Sequence, residues 1–175
     1  MENLSYPIGQ FEIDKDITTE KRVKWIEEIE KAPTQLNNAV DGLTTEQIDT
    51  PYRPGGWTVR QVVHHLPDSH LNAYLRFKLT VTEDEPTIRT YDQDQWAEIL
   101  DAKTAPIEMS LNLLESLHKR WVFFLKSLTE DDFALKFIHP EIGKLNLSDL
   151  LSLYAWHGRH HIAHINSLRE RMGWQ

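Results

Sequence analysis

Nine histidines occur in this chain of 175 residues, and four of them, His157, His160, His161 and His164, crowd into one short stretch. Imidazole titrates near neutrality and binds divalent metals through a neutral ring nitrogen. Helix propensity gives no reason to gather four histidines in one helix. Positions i and i+4 lie about 40° apart around a helix, so His157 with His161, and separately His160 with His164, can aim two ring nitrogens at one point. Metalloenzymes hold zinc with histidine pairs at this spacing.

The helical wheel separates the two pairs. Tyr154, His157, His161, Ile165 and Leu168 continue the apolar stripe of Leu147, Leu150 and Leu151, whereas His160 is turned about 100° from His161. His157 and His161 are therefore the expected inward pair, with His164 bordering the same face. Two imidazoles leave a divalent ion short of ligands, because catalytic zinc sites usually take three protein ligands and keep one position open. His64, His65 and His70 supply the candidates for a third. Periodicity favours His65 or His70 over His64, and each of these has an alternative reading as an ordinary packed histidine.

The neighbourhood narrows the chemistry. Gly158 follows His157, so the glutamate base of an H-E-x-x-H peptidase is absent. With no cysteine in the chain, thiolate ligands, protein thiolate nucleophiles and disulfides are excluded, and metal chemistry must use nitrogen and oxygen donors. Asp68, one turn after His65, is a candidate base or orienting group, against the commoner reading of a solvated or capping aspartate. Arg60, Arg159 and Tyr154 could meet an anionic substrate, although arginines on helix flanks more often form surface ion pairs. Trp57 and Trp156 are expected to pack against the bundle.

The elements that must position these residues follow from periodicity and punctuation. Residues 1–16 mix Pro7, Gly9, Phe11 and Ile13 without a period and predict an arm laid over the surface. A first helix is expected after Thr18 or Thr19, broken near Pro33. Thr44 to Gln47 predicts a short capped turn, and Pro51 to Gly56 a loop. Trp57 to Val81 predicts a long second helix strained at Pro67, and Thr82 to Thr104 an acidic, loop-like connection with a turn near Gln95 and Trp96. A third helix is expected from Pro106 to Leu128, and a short hairpin from Lys136 to Leu147. The last helix is capped by Ser148 and Asp149 and ends at Gly173. These add up to an all-α four-helix bundle with short connections and a small hairpin segment before the last helix, formed by residues 1–175 as one domain.

Composition limits the partners. Hydrophobic residues make up 40% and charged residues 26%, which is the range of a packed globular chain. A formal net charge of −8 argues against nucleic acid and anionic lipid. The N-terminus lacks a basic region followed by an apolar run, and no stretch approaches a membrane span, so the cytoplasm is the expected location.

Two segments carry a resemblance. Gly55-Gly-Trp-Thr-Val-Arg-Gln-Val-Val-His-His-Leu66 and Tyr154-Ala-Trp-His-Gly-Arg-His-His-Ile-Ala-His-Ile165 resemble the DinB superfamily, closest to its YfiT-like branch of metal-dependent hydrolases. His118-Lys-Arg-Trp121 and Ile138-His-Pro-Glu141 extend it over nearly the whole chain. The resemblance implies a four-helix bundle, commonly a homodimer, that holds one Zn²⁺ or Ni²⁺ ion. It implies metal ligands at His65, His157 and His161, with neighbouring His64 as the rival to His65. It implies action on a small-molecule substrate, by hydrolysis or by transfer of a low-molecular-weight thiol such as bacillithiol or mycothiol. The remaining alternatives are a non-catalytic metal-binding scaffold and a set of packed histidines that need no metal.

Overall fold

The side chain of Thr18 accepts a hydrogen bond from the Lys21 N–H and so starts the first helix of the structure, a computed structural model that describes residues 4–174. Helix α1 (Thr19–Val40) passes through Pro33 without a break, so the expected interruption is absent. Proline lacks the N–H that would bond the carbonyl four residues back, that of Ile29. The Ile29 carbonyl instead accepts a 2.6 Å hydrogen bond from His118 Nδ1, which compensates the loss.

Thr44 and Gln47 form a capping box for the short α2 (Thr45–Ile48), and Thr58 and Gln61 form another for α3 (Val59–Thr82). The connection that follows is more ordered than expected. It contains α4 (Gln93–Ala97) and α5 (Leu100–Thr104) before α6 (Ile107–Leu125) begins. After α7 (Glu130–Ala134), strands β1 (Lys136–His139) and β2 (Gly143–Asn146) pair antiparallel as the predicted hairpin, with Phe137 opposite Leu145. Helix α8 (Leu147–Met172) is capped by Asn146, with Asp149 closing the box from inside the first turn, and ends on Gly173 at φ 66°. The cap therefore lies two residues before Ser148, because the hairpin ends directly in the helix.

The four long helices do not alternate in direction. Contacts between α3 and α6 advance together, from His64 with Ser110, through His70 with His118, to Tyr74 with Phe124, so the two helices are parallel neighbours. Helices α1 and α8 are parallel as well, joined by Glu28 with Arg159, Ala32 beside Gly158, and the Ala39 carbonyl with Arg169. Antiparallel contacts link α3 to α8, where His65 meets His157 and Arg76 meets Tyr154. They also link α1 to α6, where Glu30 pairs with Lys126 and Pro33 lies near Glu115.

The expectation of short connections fails here for a geometric reason. A chain leaving α3 must return along a helix of about 36 Å before entering a parallel neighbour. Residues 83–106 make that return. They are pinned to the hairpin by the Ile88 N–H on the Ile138 carbonyl and the Ile138 N–H on the Pro86 carbonyl. Thr90 to Gln93 are thereby laid beside the middle of α8.

Two apolar clusters fill the bundle, one around Phe77, Trp121, Phe137 and Leu151 and the other around Leu36, Val62, Leu66, Leu114 and Ile165. Histidines from α3, α6 and α8 form a polar layer between them. From the N-terminal arm, the Ser5 carbonyl accepts from His164 Nε2, Tyr6 packs near His160, and Phe11 near Trp156. The predicted arm thus lies on α8, while residues 1–3 fall outside the described range.

Candidate metal centre

His65 enters the bundle from the second turn of α3, and His157 and His161 enter from the middle of α8, which runs antiparallel beside it. One ligand-capable atom from each lies within 4.8 Å of the other two, and no aspartate, glutamate or fourth histidine joins this group among the described residues. His65 Nε2 and His157 Nε2 face each other at 3.3 Å. The rings of His65 and His157 stand 4.7 and 4.5 Å from that of His161, and Trp57 packs over His65 at 4.8 Å and stacks on His161 at 6.2 Å.

His157 has its tautomer set from a distance. The Ile29 carbonyl can only accept, so His118 carries its proton on Nδ1. His118 Nε2 then accepts from His70 Nδ1–H at 2.8 Å, and His70 Nε2 accepts from His157 Nδ1–H at 3.1 Å. The His157 Nε2 lone pair is left facing His65. Metal-binding histidines characteristically donate their other N–H to such a partner, which orients the ring and raises its basicity. The chain of three imidazoles begins at the carbonyl that Pro33 released.

Burial keeps these rings neutral, as metal binding requires. It lowers His65 to about 4 and holds His157 and His161 well below the ordinary imidazole range, with neighbouring histidines adding to the effect. His118 is lowered to about 4 by burial, against the opposing hydrogen bond to Ile29.

The donor set fits a divalent ion. Two nitrogens bound tetrahedrally at about 2.0–2.1 Å lie about 3.3–3.4 Å apart, close to the observed His65–His157 separation. His161 makes no hydrogen bond to the described residues, and its Nδ1 is buried without a partner, so no protein contact competes with an ion for this ring. His157 also lines two clefts of ≈ 600 and ≈ 700 Å³, and His161 the larger one, so the two histidines of α8 are reachable from outside while His65 lies behind them.

The other sequence candidates divide clearly. His64 uses both nitrogens elsewhere, donating from Nε2 to the Ala105 carbonyl at 3.1 Å and accepting from the Ser110 hydroxyl at 2.7 Å. His70 belongs to the orienting chain. His160, expected to turn away from the interior, is buried because Trp156 stacks on it at 4.3 Å and the arm covers it. Arg60, largely buried, pairs with Asp49 and donates to the Ala105 carbonyl, and the exposed Arg159 pairs with Glu28. Asp68 is half-buried, pushed up to about 6 by burial and by Asp101, and lines neither cleft. Tyr154 does reach the smaller cleft, together with Arg76 and Tyr91, which sequence reasoning did not select. A basic residue at a buried position of the α3 stripe was the available signal for Arg76.

A bundle of two parallel helix pairs, with three imidazoles converging between helices α3 and α8, defines the structural class. The chain belongs to the DinB superfamily, whose sequence profile matches residues 28–165. A Bacillus cereus protein provisionally named a metal-dependent hydrolase is 55% identical over 174 residues, spanning 99% of this chain and 100% of its own. A Bacillus thuringiensis protein bears the same provisional name at the same identity and coverage. The solved structure of YfiT from Bacillus subtilis superposes with a TM-score of 0.96 at 52% identity, covering 99% of both chains, and is described as an inferred metal-dependent hydrolase with an unusual four-helix bundle topology. A further four-helix bundle structure, at 19% identity and a TM-score of 0.57, shares the fold alone.

Proposed function

We propose that this protein is a metal-dependent hydrolase of a small molecule, with His65, His157 and His161 holding one divalent ion, Zn²⁺ or Ni²⁺. The observation that carries this reading is a three-nitrogen donor set without a fourth ligand among the described residues, opening onto two clefts through His157 and His161. A structural metal site is closed by protein ligands, whereas a catalytic one keeps a position for water or substrate. The relatives' provisional names agree with it. Dimerisation and a cytoplasmic location belong to the same proposal. Among the described residues no helix is long and apolar enough to cross a membrane.

An ion in this set supplies Lewis acidity toward water and a substrate oxygen. The protein supplies the rest. The His118–His70 chain holds the His157 ring in its ligating orientation, and Trp57 shields His65 and His161 from solvent on one side. Tyr91 and Tyr154, both pushed up by burial and Tyr91 to about 12, remain protonated phenols that serve as hydrogen-bond donors rather than bases.

Elemental analysis of the purified protein tests the centre. One ion per chain is expected in the wild type, with most of it lost in each of His65→Ala, His157→Ala and His161→Ala. Stoichiometric metal in all three variants would refute the assignment. Turnover of ester and amide substrates without added thiol supports hydrolysis, whereas product formation only when a small thiol is supplied replaces it with thiol transfer.

A further inference from the structure

Arg76 is 8% exposed, lies on α3 about three turns beyond His65, and has no carboxylate within ion-pair distance among the described residues. Its guanidinium donates to the Tyr154 hydroxyl at 3.4 Å and to the Arg89 carbonyl at 3.2 Å, while Nε is buried without a partner. Arginine stays charged at every accessible pH, so burial leaves it an uncompensated cation. Proteins rarely leave a buried charge unpaired, because desolvation is costly unless a counter-charge or several hydrogen bonds repay it. Two neutral acceptors do so only in part.

The surroundings point to what completes it. Arg76 faces the ≈ 600 Å³ cleft that His157 also lines. Its other near neighbours are donors. The hydroxyls of Ser69, Tyr91 and Tyr154 line the same cleft. His139 accepts the Glu141 N–H at Nδ1, so its proton sits on Nε2 as a further donor. Two carboxylates stand on the rim, Asp92 and Glu141. Both are exposed to water, which screens them, and Asp92 is engaged by the Gln95 N–H.

We propose that Arg76, with Tyr154, Tyr91 and His139, forms an oxyanion-binding subsite beside the metal centre, so that the substrate is a small molecule bearing a carboxylate or phosphate group. The planar guanidinium fork matches either oxyanion. The inference rests on the hydrolase reading only in making this cleft the substrate's. The subsite itself requires no ion.

Calorimetric titration of chelated, metal-free protein with succinate, inorganic phosphate and uncharged succinamide tests it. The wild type should bind succinate or phosphate saturably and ignore succinamide, and whichever anion binds more tightly names the group. Arg76→Met should weaken that binding by at least about tenfold, with a melting temperature equal to or above the wild type's, because an unpaired buried charge has been removed. Arg76→Lys, which keeps the charge without the fork, should fall between them and serves if the methionine variant does not fold. Absence of anion binding in the wild type, or equal affinity in wild type and both variants, would overturn the proposal. So would a lowered melting temperature with anion affinity unchanged, which is the signature of a structural role. Because the ion is absent, loss of metal binding in the histidine variants leaves this result untouched, and the two readings fail separately.

Discussion

Acidification should unfold the metal-free protein in a way that His118 accounts for in measurable part. The His118 ring is 1% exposed, and burial lowers its proton affinity from the ordinary 6.5 to about 4. Above pH 6.5 the ring is neutral in both folded and unfolded chains and contributes no pH dependence. As pH falls from 6.5 toward 4, the unfolded chain takes up a proton that the folded chain refuses, so stability is lost through this window and levels off below it. The difference corresponds to about 3 kcal/mol, at about 1.36 kcal/mol for each tenfold change in proton affinity. His118→Asn places an amide donor near the position of Nδ1, within reach of the Ile29 carbonyl, and removes the titration. Urea denaturation of chelated wild type and variant at pH 7 and pH 4 measures the effect. The loss of unfolding free energy between the two pH values should be about 3 kcal/mol smaller in the variant, since the remaining buried histidines contribute to both proteins. Equal losses, or an NMR titration of the His118 ring near 6.5, would show that the ring is not held neutral by the fold.

Two substitutions probe other parts of the layer. Pro33→Ala restores an N–H that competes with His118 for the Ile29 carbonyl; helix stability should rise while metal affinity, read by competition with a chromogenic chelator, falls by up to about tenfold as the orienting chain loosens. Asp68 has its carboxyl raised from 3.8 to about 6, so its favourable contribution is complete below 3.8 and lost as pH rises through 6. Asp68→Asn should therefore stabilise the protein at pH 7, by on the order of 1 kcal/mol after allowance for water contact, and change little at pH 4; thermal denaturation at the two pH values checks the contrast.

Local features were readable from the sequence to the extent that their causes are local. Capping at Thr44, the hairpin around Gly143 and the Gly173 terminus each depend on a few adjacent residues, and each is present. The i, i+4 relation of His157 and His161 is equally local. The direction of the helices was not readable, because each apolar stripe is compatible with a parallel or an antiparallel neighbour. That choice turned the loop expected from Thr82 to Thr104 into a structured return over residues 83–106. The Asn146 cap was missed because a strand ends directly in α8. Pro33 was misread for a related reason: its partner, His118, arrives from another helix and satisfies the carbonyl that a proline ordinarily leaves exposed. His70, His118 and Arg76 acquire their roles only through residues remote in sequence, His70 and His118 through each other and Arg76 through Tyr154.

The two parallel helix pairs also determine the order in which the molecule can assemble. In an up-and-down bundle, successive helices close locally as hairpins, and folding gathers speed from contacts made early between near neighbours in the chain. Here α3 and α6 can join only after the whole return segment has been laid down, and α1 finds its parallel neighbour only when α8 arrives from the far end of the domain. Loop-closure entropy is thus met before most packing is gained. Refolding should accordingly be slower than that of hairpin-linked bundles of equal length, with α1 among the last elements to acquire protection from hydrogen exchange.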